Sequence, residues 1–469
     1  MASVLRRFAD RALAAPAVGK DAFLYGGSMV FALVTAIVAV SADYRDWGEM
    51  AAVAYGLAFL VCFAALGASR RDRLSAARVG QIRRLVVLGV LAGAVVAPLA
   101  SELVWRSEAV PGQHAQAEVA VVERAGDRLA GGANPYLSHP STVGISPSSD
   151  AKGIDADSYY PYLPGMVPFG LLNATSLPKE LGDARVSLSL FTLVIAAIAL
   201  ATKDASVGRK GRVLQFLVIL PSGALPIVTG GDDMPVIALM LLGLVLAATR
   251  HPVLCGLALG CAATLKFTAW PVLLLVMLVA RDKHGRPAGL RYAISAALVV
   301  VPIVAVGALP NPSAFFVNVV KFPLGIAKVH SPAASPLIGE VLVSIFPHDR
   351  RAITFALVAV GLVLIAYGLK RFTPRTPAQV ARFTAWALLL AIVLLPATRF
   401  GYLIYPANLF VFSYLIDGIE ASVVKAQGYS ASLTSNSLSS TELVGATLAP
   451  PSAGLREVVA RFTTTPSSQ

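Results

Sequence analysis

The ionisable residues that interrupt an otherwise apolar chain are the ones whose chemistry needs a reason. Glu118 and Glu123 lie in Glu118-Val-Ala-Val-Val-Glu123-Arg-Ala-Gly-Asp127-Arg-Leu129, a segment of helical period that Gly131-Gly132 and Asn134-Pro135 bring to a stop. At about 100° per residue, Val122, Ala125 and Leu129 share one stripe, Glu123, Asp127 and Arg128 fall away from it, and Glu118 falls on it. A carboxylate on that stripe is either a first-turn residue favoured by the helix dipole or a functional group turned toward protein or membrane. Further along, Asp155-Ala-Asp157 in an extended chain places two carboxylates on one side, where they can share a divalent cation through oxygen ligands; a solvated acidic loop is the plain alternative. A divalent cation is the one cofactor the sequence suggests.

Asp232 and Asp233, in Thr229-Gly-Gly-Asp-Asp-Met-Pro235, form a turn between two apolar runs. Adjacent carboxylates there either accept hydrogen bonds from sugar hydroxyls or simply end helices. Lys266 interrupts the apolar stretch 252–281. An ammonium in that setting costs about 3 kcal/mol unless it faces a cavity or a counter-ion, and a lipid phosphate is a natural counter-ion in a membrane enzyme. Arg399, in Leu395-Pro-Ala-Thr-Arg399-Phe-Gly-Tyr402, is a second cation at a helix end, with Tyr402 beside it as a substrate-binding candidate; snorkelling to the interface explains the arginine equally well. Tyr160, in Ser158-Tyr159-Tyr160-Pro161-Tyr162, can stack on a sugar ring, but tyrosines also gather where a chain re-enters a membrane, and an interfacial aromatic belt is the stronger reading. No Walker loop, dinucleotide fingerprint or nucleophile elbow occurs.

The elements that must hold these residues are set by composition. Of 469 residues 56% are hydrophobic and 14% charged, with a mean hydropathy of +0.70, which excludes a soluble fold because so much apolar surface has nowhere to hide from water. Apolar runs recur near the length, roughly 18 to 25 residues, that crosses a hydrocarbon core. The net charge of +13 is explained by basic loops kept on the cytoplasmic side, so no nucleic-acid partner is implied. Arg6, Arg7, Arg11 and Lys20 keep the N-terminus inside, and the six arginines between Arg70 and Arg84 mark an inner loop. A longer apolar run than a signal peptide uses, followed at once by a second, reads as a membrane anchor. The polar segment 106–160 then lies outside, as does a second one at 309–348, while the turn at Asp232-Asp233 and the tip of a hairpin over 252–281, near Lys266, approach the same face. Arg281, Lys283, Arg286 and Arg291 mark a further inner loop. The expected architecture is an all-α polytopic membrane protein with about twelve transmembrane helices, both termini cytoplasmic, and a large first external loop. Its parts are an N-terminal segment and extra hairpin over 1–84, a transmembrane domain over 85–417, and a disordered tail over 418–469. Cys62, Cys255 and Cys261 lie in apolar stretches and read as packing residues, not as a disulfide or metal framework.

The order of these motifs is similar to a known family. An outward helix, an acidic external loop with Glu118, Leu129-Ala-Gly-Gly-Ala-Asn-Pro-Tyr136, the Tyr-Pro segment at 160–164 and Gly256-Leu-Ala-Leu-Gly-Cys-Ala-Ala-Thr-Leu-Lys266 together resemble glycosyltransferase family 87 of the GT-C superfamily over roughly residues 85–415. The resemblance implies a GT-C-like fold in the plasma membrane and an external active site. It also implies a polyprenyl-phosphate sugar donor, typically mannose, and a glycolipid or glycan acceptor. It further implies that Glu118 acts as general base, with Glu123 close enough to take its place, while Lys266 and Arg399 hold the phosphate leaving group. The chain departs from the family in having Glu where Asp is usual, an extra hairpin at 22–68, and Gly-Gly-Asp-Asp where a Gln or Asn turn is usual. A secondary transporter of about twelve spans is the competing class, but the polar mid-membrane path and the symmetry between halves that it predicts are not visible in the sequence.

Overall fold

The computed structural model describes residues 17–109, 113–137, 158–327 and 333–445, and among these the regular elements are helices, with no strand. Eight described helices are long and apolar enough to cross a membrane, and three shorter apolar ones, Ala184–Leu200, Met234–Ala248 and Pro252–Leu265, lie among them. The polytopic helical architecture holds, while a count of twelve spans does not follow from helix length alone.

The N-terminal hairpin consists of α1 (Ala17–Val38) and α2 (Ala42–Arg70). Its helices touch closely because Gly48 has no side chain: a Cβ there would stand 2.6 Å from the Ala36 nitrogen. The hairpin is stitched into the rest of the protein. Asp21 pairs with Arg83 at 2.5 Å and with Arg212 at 3.1 Å. The Trp47 indole N–H donates to the Ala94 carbonyl at 3.0 Å, inside a π-turn that interrupts α3 (Ala76–Glu108) at Ala92–Val96. A second π-turn, Gln215–Ile219, breaks α6 (Val207–Thr229) before Pro221. The Ile219 carbonyl that this break frees accepts a hydrogen bond from the Tyr55 hydroxyl at 2.6 Å. In lipid such a carbonyl would otherwise go unpaired, which is why breaks occur where a neighbour can supply a donor.

Between α3 and α6 lie α4 (Ala117–Ala130), a 3₁₀ stretch at Pro164–Ala174, and α5 (Ala184–Leu200). Helix α4 ends at the Gly131-Gly132 pair, Gly132 being left-handed at φ +72°, as the sequence predicts. The 3₁₀ stretch lies directly on α4. A Cβ on Gly126 would come within 2.3 Å of the Gly170 carbonyl carbon, and one on Gly170 within 2.1 Å of the Val122 oxygen. Gly126→Ala should therefore cost about 1–3 kcal/mol by overpacking and lower the thermal unfolding midpoint in detergent. Gly131→Ala, whose Cβ meets its nearest atom at 3.4 Å, should leave the midpoint unchanged; equal midpoints for the two variants would show that α4 does not need this contact.

Helix α7 (Met234–Ala248) leads to α8 (Pro252–Leu265), and the extended backbone of Lys266 separates α8 from α9 (Trp270–Ala308). The break expected at Lys266 is thus present. The inner loop expected around Arg281–Arg291 is not a loop. Helix continues up to and beyond a single left-handed residue, Gly285 at φ +83°, where the chain doubles back. The Tyr292 hydroxyl donates to the Leu273 carbonyl across that turn at 2.7 Å. Glycine reaches this backbone region without the clash that a Cβ introduces, so one residue replaces a loop. The later elements are α10 (Ile338–Ile345), α11 (Arg350–Arg371), α12 (Pro377–Leu394) and α13 (Ile404–Gly445). The tail expected to be disordered from 418 is helical to Gly445, and 446–469 lie outside the described residues. Contacts divide the chain into residues 1–419 and residues 420–469.

Candidate active site

Helix α4 presents Glu118 from its first turn, and the residue before the helix fixes where that turn lies. Gln116 donates its backbone N–H to the Thr229 carbonyl at 2.8 Å, and its side-chain amide donates to the Thr229 hydroxyl at 2.9 Å and also to the Tyr44 hydroxyl. This ties α4 to the turn that carries Asp232 and Asp233. The Gly-Gly pair makes the approach possible, since a Cβ on Gly230 would lie 2.8 Å from Oε1 of Gln116 and Gly231 is left-handed at φ +55°. Neither Gln116 nor Tyr44 stands out in the sequence, because a neutral hydrogen-bonding residue in a polar loop has no distinguishing pattern.

The Glu118 carboxylate pairs with the Arg399 guanidinium. Arg399 lies between α12 and the 3₁₀ turn Phe400–Leu403. The Thr398 hydroxyl beside it donates to the Ile392 carbonyl at 2.8 Å, and the Ser335 N–H donates to the Thr398 carbonyl at 2.9 Å. Burial alone would lower the affinity of Arg399 for its proton, but Glu118 and the nearby tyrosines outweigh it and hold the guanidinium firmly charged.

Lys266 points at the aspartate pair: Nζ lies 2.9 Å from Asp232 Oδ2 and 2.5 Å from Asp233 Oδ1. Its charge also stands over the Tyr162 ring at 4.8 Å, and the Tyr405 hydroxyl donates to Asp233 Oδ1 at 2.7 Å. Burial would push the ammonium down, yet the two carboxylates together raise it above its ordinary value, so Lys266 is a cation. Its counter-charge is thus supplied by the protein, where the sequence suggested a lipid phosphate. Sequence spacing cannot show this, because 33 positions separate Lys266 from Asp233. The position of the lysine depends on a wedge of chain from the Tyr-Pro segment: the Leu163 N–H donates to the Leu265 carbonyl at 3.1 Å, and a Cβ on Gly165 would strike Thr264 at 2.4 Å.

The two ion-paired groups belong to one site. Tyr402 feels the charges of Lys266, Asp233, Arg399 and Glu118. Tyr162 feels Asp232 and Glu118, and with burial as the larger cause its phenol is pushed well above its usual range. Glu118, Asp232, Asp233, Lys266, Arg399 and Tyr402 are therefore gathered, with three acids facing two cations.

Glu123 is placed elsewhere, and Tyr160 stands behind Tyr162. Glu123, expected on the polar face of its helix, is 6% exposed, whereas Leu129, expected on the apolar stripe, is 45% exposed. The Glu123 carboxylate accepts two bonds from Arg106, at 2.8 and 2.7 Å, and one from the Ala184 N–H at 3.1 Å. Arg106 also pairs with Asp183, which is held by Arg185 at 2.8 Å. A helix face reads as polar from sequence whether its partner is water or a buried arginine, which is why periodicity misplaces Glu123. Tyr160, expected at a membrane interface, is buried within the protein. It is 3% exposed and packs edge-on between Tyr136 and Tyr162 at 5.4 and 5.3 Å. Its backbone N–H donates to Asn318 at 2.8 Å. Tyr160 thus supports Tyr162 from behind. Asp155 and Asp157 lie outside the described residues.

Comparison with known proteins matches the family model for glycosyltransferase family 87 to residues 161–397, a narrower span than the resemblance read from motifs. It includes Asp232, Asp233 and Lys266 and leaves Glu118 and Arg399 outside. No curated protein matches the chain. Among solved structures, ArnT from Cupriavidus metallidurans, crystallised with undecaprenyl phosphate, is similar at 16% identity with a TM-score of 0.42, covering 74% of this chain. This chain spans 60% of the length of that structure. With half of its length matched, the chain belongs to glycosyltransferase family 87.

Proposed function

We propose that this enzyme moves a hexose, mannose being the first candidate, from a polyprenyl-phosphate donor to a glycolipid or glycan acceptor on the external face of the plasma membrane. The observation that carries the reading is the gathering of one acid, Glu118, with two cations, Arg399 and Lys266, from three distant parts of the chain. An acceptor hydroxyl gives its proton to Glu118 while its oxygen attacks the anomeric carbon. The bond from that carbon to the phosphate oxygen breaks, and the charge that grows on the leaving phosphate is held by Lys266 and Arg399. A single displacement inverts the anomeric carbon. The carboxylates that pair with the two cations keep them in place and charged before the donor arrives. Asp232 and Asp233 then offer acceptors for sugar hydroxyls, with Tyr402 alongside. A lipid-linked donor also accounts for a sequence with no nucleotide-binding fingerprint, since nucleotide sugars are confined to the cytoplasm.

The reading is tested with purified full-length protein and radiolabelled polyprenyl-phosphate mannose. Label should leave the donor lipid and appear in an acceptor fraction; transfer from a nucleotide sugar alone would refute it. Its topology is tested separately. Ser176 and Ser75 are both exposed, the first close to Asn173, which is bonded to Asp127 of α4 at 2.9 Å, the second in the basic loop. An impermeant thiol reagent applied to intact cells should label Ser176→Cys and spare Ser75→Cys. The opposite pattern would place the site on the cytoplasmic side.

A further inference from the structure

Outside the candidate active site, a second constellation joins the extra hairpin to the segment that leads into α4. Asp46 comes from the first turns of α2, Glu102 from the last turns of α3, and His114 from the two residues before Gln116. One donor atom from each lies within 4.8 Å of the others. His114 Nδ1 is 3.2 Å from Glu102 Oε2 and 3.5 Å from Asp46 Oδ2. Glu102 has a fully buried side chain, and its Oε1 has no hydrogen-bond partner. A carboxylate taken out of water with one oxygen unpaired, facing a second carboxylate, is stabilised by a positive charge placed between them. Arg185 spends its guanidinium on Asp183 and on the carbonyls of His114 and Val228 at 2.9 Å each.

We propose that Asp46, Glu102 and His114 bind one divalent cation of the zinc or manganese type. One imidazole nitrogen with two carboxylates is a donor set for borderline first-row ions, whereas calcium and magnesium prefer oxygen alone. Donors that share an ion tetrahedrally at bond lengths of about 2.0–2.2 Å stand about 3.3–3.6 Å apart, close to the spacing His114 Nδ1 already has to both acids, so the widest pair needs to close by about 1 Å. His114 is left-handed at φ +58°, and the Trp105 ring flanks its imidazole at 5.7 Å. The ion would fasten α2 and α3 to the start of α4, two residues from the Gln116 contacts that set Glu118. The proposal stands independently of the transferase reading, because binding is measured without substrate.

The test uses full-length protein in detergent, stripped with a chelator and then offered Zn²⁺ alone, Mn²⁺ alone or Ca²⁺ alone, with bound metal counted after desalting. About one Zn²⁺ per chain should be retained, Ca²⁺ should be retained at least tenfold less, and Zn²⁺ should raise the unfolding midpoint. His114→Asn keeps a residue type that tolerates left-handed backbone and should lower Zn²⁺ retention at least tenfold, as should Glu102→Gln. Asp46→Asn is the variant least exposed to folding failure, since that side chain is 27% exposed, and it should weaken retention too. Replacing Asp155 and Asp157 together with Asn should leave the stoichiometry unchanged. A wild-type protein that retains no Zn²⁺, or a His114→Asn protein that retains as much as wild type, would overturn the proposal; a loss confined to the Asp155/Asp157 variant would do so as well, by moving the ion to those residues.

Discussion

Glu118→Gln should lower turnover by roughly 10² to 10⁴ while leaving donor affinity largely intact. The amide keeps the size of the carboxylate and can still accept a bond from Arg399, so the guanidinium stays near its place, but it cannot take a proton from an acceptor hydroxyl. A loss of that size is about 3–5 kcal/mol of transition-state stabilisation, more than a displaced surface ion pair costs. The comparison with Glu123 separates chemistry from architecture. Glu123→Gln leaves Arg106 short of one of its two buried carboxylates, so it should reduce the yield of folded protein and its unfolding temperature, with a stability cost of order 3 kcal/mol, and have little effect on turnover per folded molecule. Single-turnover kinetics on the folded fraction read the difference. Wild-type turnover in Glu118→Gln, with turnover abolished in Glu123→Gln or in an Asp232-Asp233 double replacement, would take the base away from Glu118.

Lys266→Met should weaken donor binding by about 10- to 100-fold, the worth of one charge-assisted contact to a phosphate. Because the ammonium is also the counter-charge of Asp232 and Asp233, the single replacement leaves two buried acids facing each other and should destabilise the protein as well. The double variant Lys266→Met with Asp233→Asn removes one of those acids. It should recover much of the lost unfolding temperature without recovering donor affinity, and a double-mutant cycle separates the two contributions. Donor affinity that returns with stability, or that never falls in the single variant, would make Lys266 a structural partner of the turn and nothing more.

How much of this was legible beforehand depended on how local the cause was. The stop of α4 at Gly131-Gly132 and the interruption of the 252–281 stretch at Lys266 are written in a few neighbouring residues, and both are present in the fold. The Gly285 reversal is equally local, but its single glycine sits among basic residues that suggest a loop, so charge hid the geometry. In the tail, Ser and Thr content pointed to disorder, yet the helix that begins at Ile404 runs to Gly445.

The sequence by itself determined the solvent. Apolar runs of membrane-spanning length, a low charge fraction and clustered arginines leave an all-helical polytopic protein as the outcome, because backbone polar groups in lipid must be paired within their own segment. It also singled out Glu118, Lys266 and Arg399, since an ionisable group in an apolar setting needs a reason to be there. Only the tertiary structure decided which charges meet. Glu118 found Arg399 across 281 positions and Glu123 found Arg106 from the end of another helix, although the two glutamates share one helix and its periodicity had put Glu118, not Glu123, on the apolar stripe. Helical period fixes the direction in which a side chain leaves its own axis and carries no information about what stands there. The partner is set by the packing of distant helices, and in a low-dielectric interior that partner separates a candidate base from a structural ion pair.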